Sequence, residues 1–266
     1  MSGWPKGAAQ SGAESGGDNQ GASRAGRAVC GDPGTWRDSR QDTARAREKD
    51  IPAVKNKGYC GGTLIDPLWV LTAAHCGNVK TVSLGVHSRK AQEKEKRYRQ
   101  VCEGEKNVPH PDFNSHTYDH DLMLVKVMEE TQWVSSLKLN EVVNDPPAGS
   151  VCTVAGWGKT DKHANTMSDV LMAVNVTVVD RIKCNSKDYY NYDNYITKNM
   201  ICAGSDGENV ADACDGDSGG PILCNGALVG VTSFGAENEC GKKNWPGVYA
   251  FLTRDHLKWI NNTMKQ

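Results

Sequence analysis

The sequence predicts an all-β fold, and three observations carry that reading. From about Ile51 onward the chain breaks into short apolar segments: Gly62-Thr63-Leu64-Ile65, Trp69-Val70-Leu71-Thr72, Leu122-Met123-Leu124-Val125, Val170-Leu171-Met172-Ala173-Val174, Pro221-Ile222-Leu223 and Leu228-Val229-Gly230-Val231. Turn residues separate them at short intervals, which is the pattern of an antiparallel barrel or sandwich. Ten cysteines are dispersed along the chain, with no paired Cys-x-x-Cys sets of the zinc-binding kind. In a β-rich chain that usage reads as disulfides and an oxidising compartment. The 266 residues suffice for one large β domain or two small ones with a real core.

The segments fall in order. Residues 1–50 are rich in Gly, Ser, Ala, Arg and Asp and poor in apolar residues, and read as disordered. Their first 28 residues contain no apolar stretch of the signal-peptide kind, which conflicts with the compartment the cysteines imply. Residues 89–106 are dense in Lys, Arg and Glu and read as a solvated loop. Leu257, Trp259 and Ile260 have helical spacing, so the end of the chain is expected to form an amphipathic helix over about 253–264. The net charge is -1, which gives no reason to expect nucleic acid or a membrane surface as partner. No apolar run reaches the roughly 18 residues of a membrane span. No metal and no cofactor are expected.

Three motifs carry chemistry. In Gly216-Asp217-Ser218-Gly219-Gly220-Pro221 the glycines let the backbone turn sharply beside a serine. The amides of Gly216 and Ser218 could then converge as an oxyanion hole, while a plain tight turn is the bland alternative. In Leu71-Thr72-Ala73-Ala74-His75-Cys76 a base follows an apolar strand. A Cys60–Cys76 bridge would mount it rigidly, at about 3 kcal/mol of chain entropy. In Asp119-His120-Asp121-Leu122 an acid opens an apolar strand and is costly to bury without a partner. Asp121 is preferred over Asp119 as the partner of His75 because it abuts the strand.

The order His75, Asp121, Ser218 in these motifs resembles the chymotrypsin/trypsin family of serine proteases. Ala155-Gly156-Trp157-Gly158, Pro109-His110-Pro111-Asp112-Phe113 and Trp245-Pro246-Gly247-Val248-Tyr249 support the likeness, which covers about residues 51–264. The resemblance implies two antiparallel six-stranded β-barrels packed together, over about 51–135 and 136–252, with a C-terminal helix. It also implies a catalytic triad of His75, Asp121 and Ser218, cleaving protein or peptide substrates through an acyl-enzyme. Disulfides carry over as Cys60–Cys76, Cys152–Cys224, Cys184–Cys202 and Cys214–Cys240. Cys30 and Cys102 are left over, free or intermolecular.

The family pattern puts Asp212 at the base of the primary pocket, where substrate Arg or Lys would supply its cation. A lone Asp is otherwise more often a surface acid. Gly235 and Gly247 match the pocket walls, and Ser233-Phe234-Gly235 resembles the strand that pairs with substrate backbone. Pro246 stands where a Tyr marks sodium-activated members, which implies no sodium dependence. Within the family the likeness is to granzymes of the A and K types, through Val231-Thr232-Ser233-Phe234-Gly235 and Val174-Asn175-Val176-Thr177. Those are strongly basic, and this chain is not. Asn175 and Asn261 head glycosylation sequons. Protease inhibitors are expected partners, the expected location is secreted or granular, and oligomeric state is left open.

The family is made as zymogens whose new N-terminus, Ile-Ile-Gly-Gly or Ile-Val-Gly-Gly, pairs with the acid before the serine, here Asp217. No such tetrapeptide precedes Cys60. Three readings compete: a replaced start on a working enzyme, which is favoured; a zymogen-locked or catalytically silent binding module; or another basic cleavage site.

Overall fold

The computed structural model describes residues 51–55, 59–90, 99–128, 134–161, 163–191, 195–207, 210–236 and 239–266. The segment 1–50, with Cys30, lies outside them.

Thirteen strands form among the described residues. The first seven are β1 (Ala53–Lys55), β2 (Tyr59–Gly61), β3 (Thr63–Asp66), β4 (Trp69–Thr72), β5 (Thr81–Leu84), β6 (Gln100–Pro109) and β7 (Met123–Val127). They make one antiparallel sheet in the order β2-β1-β5-β6-β7-β4-β3. Its two end strands are consecutive in the chain and are separated only by Gly62, so the sheet closes on itself there as a barrel. A Cβ at Gly62 would lie 2.8 Å from Val70 Cγ1 and 3.2 Å from Val54 Cγ2, so a larger residue there would press on the valines packed inside. Counted as one interrupted strand, β2 and β3 give the six that were expected.

The remaining strands are β8 (Val151–Gly156), β9 (Met172–Val179), β10 (Met200–Gly204), β11 (Pro221–Cys224), β12 (Ala227–Phe234) and β13 (Gly247–Phe251). They form a closed barrel in the order β10-β13-β12-β11-β8-β9. The fold is therefore all-β, with two antiparallel barrels and few helices. The C-terminal helix runs Arg254–Met264, its first turn capped by the Thr253 side chain accepting from His256 N. It buries Leu257 and Ile260.

The charged segment corrects one expectation. Gln100–Lys106 is not a loop but the first part of β6, the longest strand. Gln100 and Cys102 point inward and Val101 and Glu103 outward. The charges decorate the outer face of a strand whose inner face is sparse, so the period-2 signal is masked by composition. Residues 91–98 lie outside the described set.

One buried cluster threads both barrels and takes in the helix. A smaller one, of Ile51, Val86, Ala155, Trp157 and Leu171, lies at the seam, where Trp157 Nε1 donates to His87 O at 3.0 Å. The four disulfides Cys60–Cys76, Cys152–Cys224, Cys184–Cys202 and Cys214–Cys240 are all formed. Cys102 is also disulfide-bonded, so it is not a free thiol.

Candidate active site

The site is built where the two barrels meet. After β4 the chain tightens into a single 3-10 turn, Ala74–Cys76, which holds His75. The Cys60–Cys76 bridge ties that turn back to β2. Asp121 enters from the loop before β7 and is fully buried. Its carboxylate receives three hydrogen bonds. His75 N donates to Oδ1 at 2.9 Å, His75 Nδ1 lies 2.7 Å from Oδ2, and Ser233 Oγ donates to Oδ2. Asp119 turns the other way. It accepts from Thr197 Oγ1 at 2.8 Å and from Asn199 Nδ2 at 3.1 Å.

Ser218 reaches the seam from the second barrel. Its carbonyl accepts from Gly61 N at 2.7 Å, and Gly61 is the neighbour of Cys60. The approach is so close that a Cβ on Gly61 would lie 3.0 Å from Gly220 Cα. A Cβ on Gly219 would collide with Thr72 Oγ1 and Gly61 O. These glycines are where the backbone of one barrel touches that of the other. No hydrogen bond joins Ser218 to His75; in unliganded sites such bonds are often long and tighten on complex formation. Gly216 has φ +100. Among the described residues neither the Gly216 amide nor the Ser218 amide donates to another protein group.

Asp217 points away from the serine, toward the Ala155-Gly156-Trp157-Gly158 segment. Gly158 N donates to Oδ1 at 2.6 Å and Cys214 N to Oδ2 at 3.0 Å. A Cβ on Gly158 would sit 2.5 Å from the carboxylate, and one on Gly156 would be closer still. The two glycines are therefore the floor on which Asp217 lies. Burial pushes its carboxyl up to about 6, against the two amides that lower it.

Asp212 sits beside the Cys214–Cys240 bridge. Its oxygens accept from three amides: Ala213 at 2.9 Å, Gly241 at 2.9 Å and Gly247 at 3.1 Å. Burial raises it to about 7, opposed by those amides and helped by the charge of Asp217. A Cβ on Gly247 would lie 3.0 Å from Asp212 Oδ1, so no side chain fits over the carboxylate. A Cβ on Gly235 would meet nothing within 4 Å. A Cβ on Gly247 would also lie 3.0 Å from the Tyr249 hydroxyl, which is buried and whose pKa is pushed well above the ordinary value, chiefly by burial.

Two features escaped sequence reasoning. Ser233, expected to pair with substrate through its backbone, also donates its hydroxyl to Asp121. Tyr118, at φ 57, packs edge-on to the His75 ring at 5.6 Å and against Phe234 at 5.4 Å. Its only signal was an aromatic three residues before Asp121. Of the sequons, Asn175 is exposed on β9, where its Oδ1 accepts from Thr153 Oγ1 at 3.0 Å, and Asn261 is exposed on the C-terminal helix.

Comparison with known proteins agrees with this architecture. The Trypsin family model matches residues 41–260. Granzyme A of Bos taurus is 42% identical over 218 residues, covering 79% of this chain and 81% of the relative. Kallikrein-8 of Rattus norvegicus is 38% identical over 210 residues, covering 77% and 76%. The solved structure of neuropsin, a serine protease expressed in the limbic system of mouse brain, superposes with a TM-score of 0.71 at 33% identity, covering 82% of this chain and 95% of that one. With a family match over most of its length and relatives of this identity, the chain belongs to the trypsin family of serine endopeptidases.

Proposed function

We propose that this serine endopeptidase cleaves after Arg or Lys, with Ser218 as nucleophile, His75 as general base and Asp121 as the acid that orients it. The observation that carries the specificity is Asp212. Its carboxylate is held by three backbone amides and by no cation among the described residues, beside Gly247, where a Cβ would crowd it. A guanidinium or ammonium is the group that such a carboxylate lacks.

The chemistry follows from the arrangement. Ser218 Oγ attacks the scissile carbonyl carbon as His75 Nε2 takes its proton. Asp121, bonded to Nδ1, holds the tautomer that leaves Nε2 free and stabilises the imidazolium. The carbonyl oxygen, now an anion, receives the Gly216 and Ser218 amides. His75 returns the proton to the leaving amine, and water repeats the sequence on the acyl-enzyme. The disulfides and the granzyme and kallikrein relatives support a secreted or granular enzyme. Protease inhibitors would bind the same cleft.

A second reading rests on Asp217. Its described partners are two amides and no positive charge, and burial raises it. An α-ammonium delivered there would relieve that cost, so readiness to act depends on such a partner. The test compares residues 1–266 with a chain carrying Ile-Ile-Gly-Gly at a free N-terminus, on Arg, Lys, Phe and Asp peptide substrates. Activity on Arg and Lys in the second chain supports the proposal. No activity in either chain refutes the protease reading, and equal rates on Phe refute the pocket.

A further inference from the structure

The geometry points to a second site, one that binds a zinc-like divalent cation between His110, His120 and His256. The three imidazoles come from the end of β6, from the residue before Asp121 and from the first turn of the C-terminal helix. One ring nitrogen from each lies within 4.8 Å of the others. His120 Nδ1 and His256 Nε2 are 2.9 Å apart. The rings are wedged together: His110 stacks on His120 at 4.9 Å, meets His256 edge-on at 5.1 Å and is backed by Trp259 at 4.8 Å.

The surrounding groups fix the ring tautomers. His256 Nδ1 lies 2.6 Å from Phe251 O, which can only accept, so Nδ1 carries the hydrogen and Nε2 presents a lone pair. The Thr253 amide contact to the same nitrogen, at 3.3 Å, is the weaker one. Asn199 Nδ2, 3.3 Å from His120 Nε2, can only donate, so the His120 hydrogen sits on Nδ1 and bridges to His256 Nε2, while the Asp119 carboxylate, 3.8 Å from Nε2, stands ready to favour the other tautomer. Asp119 is itself fixed by Thr197 and Asn199. A carbonyl behind one ring and a held carboxylate behind another is the outer arrangement that metal-ligating histidines use. At 2.9 Å the two nitrogens share the His120 hydrogen, and a metal takes its place once that hydrogen shifts to Nε2, toward Asp119.

The fit requires small movements. Zn–N bonds of about 2.0–2.1 Å in a tetrahedron put ligand nitrogens about 3.3 Å apart. The close pair must open by about 0.4 Å and the third nitrogen must move in. His110 gives up or keeps the Asp112 amide, now 3.2 Å from its Nδ1, according to which nitrogen it turns inward. Three neutral imidazoles suit zinc and cobalt over magnesium or calcium. No metal was expected from sequence, because the three histidines span 110 to 256 with no motif spacing.

The test titrates the full chain with Co2+ and follows the visible absorption of tetrahedral cobalt, then displaces it with Zn2+. One cobalt per chain is expected, bleached by zinc. Binding should weaken at least about ten-fold in His120→Gln and in His110→Gln, and should persist in His75→Ala. His256→Ala is left aside because it opens the helix packing. Unchanged binding in both Gln variants, an octahedral spectrum, or loss in His75→Ala overturns the site. The readout is independent of peptide cleavage, so an inactive chain that binds cobalt leaves it standing.

Discussion

Replacing Asp212 by Asn tests the pocket most directly, because the amide keeps the shape and removes only the charge. Under the proposed specificity, an ionised Asp212 would meet a buried substrate guanidinium with a carboxylate. With Asn it is buried unpaired, at about 3–5 kcal/mol. At 1.36 kcal/mol per decade this is a loss of about 10²–10⁴ in kcat/KM on Arg substrates, with little change on a poor Phe substrate. The raised carboxyl adds a pH signature. With a pKa of about 7 in the free enzyme, about one molecule in eleven is ionised at pH 6 and about ten in eleven at pH 8. A cation binds only the ionised form. The affinity for benzamidine should therefore rise about ten-fold over that interval, with close to one proton released per ligand at pH 6. Calorimetry in buffers of different ionisation enthalpy measures both quantities. Affinity that is flat from pH 5 to 8, or an Arg preference that survives the Asn substitution, refutes the reasoning.

Other outcomes follow from the same geometry. Ser233→Ala removes a hydroxyl donor from the buried Asp121. A hydrogen bond to a charged group is worth about 1.5–3 kcal/mol, so kcat should fall about 10–100-fold with KM nearly unchanged in steady-state assays. Gly158→Ala puts a methyl into the Asp217 carboxylate. Its melting temperature should drop and its oxyanion stabilisation fail, read as a loss in kcat rather than KM. Asp212 has a folded pKa above its unfolded value, so the protonated form is the favoured one. Its stability contribution is full below about pH 4 and lost as pH rises through about 7. The melting temperature of Asp212→Asn, relative to the parent chain, should accordingly be higher at pH 8 than at pH 5. Ser218→Ala should abolish hydrolysis, by about 10⁶ in kcat, while benzamidine still binds.

Much of the candidate site was legible because its chemistry is local. Gly216 to Pro221 is one turn, and His75 sits one residue from a cysteine that mounts it. Asp121 was separable from Asp119 only by its abutting an apolar strand, and the structure shows Asp121 fully buried and Asp119 half-buried, against partners on different sides. What could not be read comes from distance. Ser233 meets Asp121 across 112 residues, and no spacing announces it. Tyr118 reaches His75 through a positive φ that tyrosine rarely adopts. The strand hidden in the charged segment had a one-sided pattern of only two buried residues, too short for a period to show. Gly62 looked like any glycine until its neighbours were placed.

The seam of glycines around Gly61, Gly219 and Gly220 sets more than contact. Backbone meets backbone there, so the gap between the serine's loop and the strand below the histidine turn is a ruler made of main chain. Side chains in either barrel can drift in evolution without recalibrating it. Saturation mutagenesis should expose this as a narrow line of intolerance crossing an otherwise permissive molecule, with outer loops free to diversify on both sides.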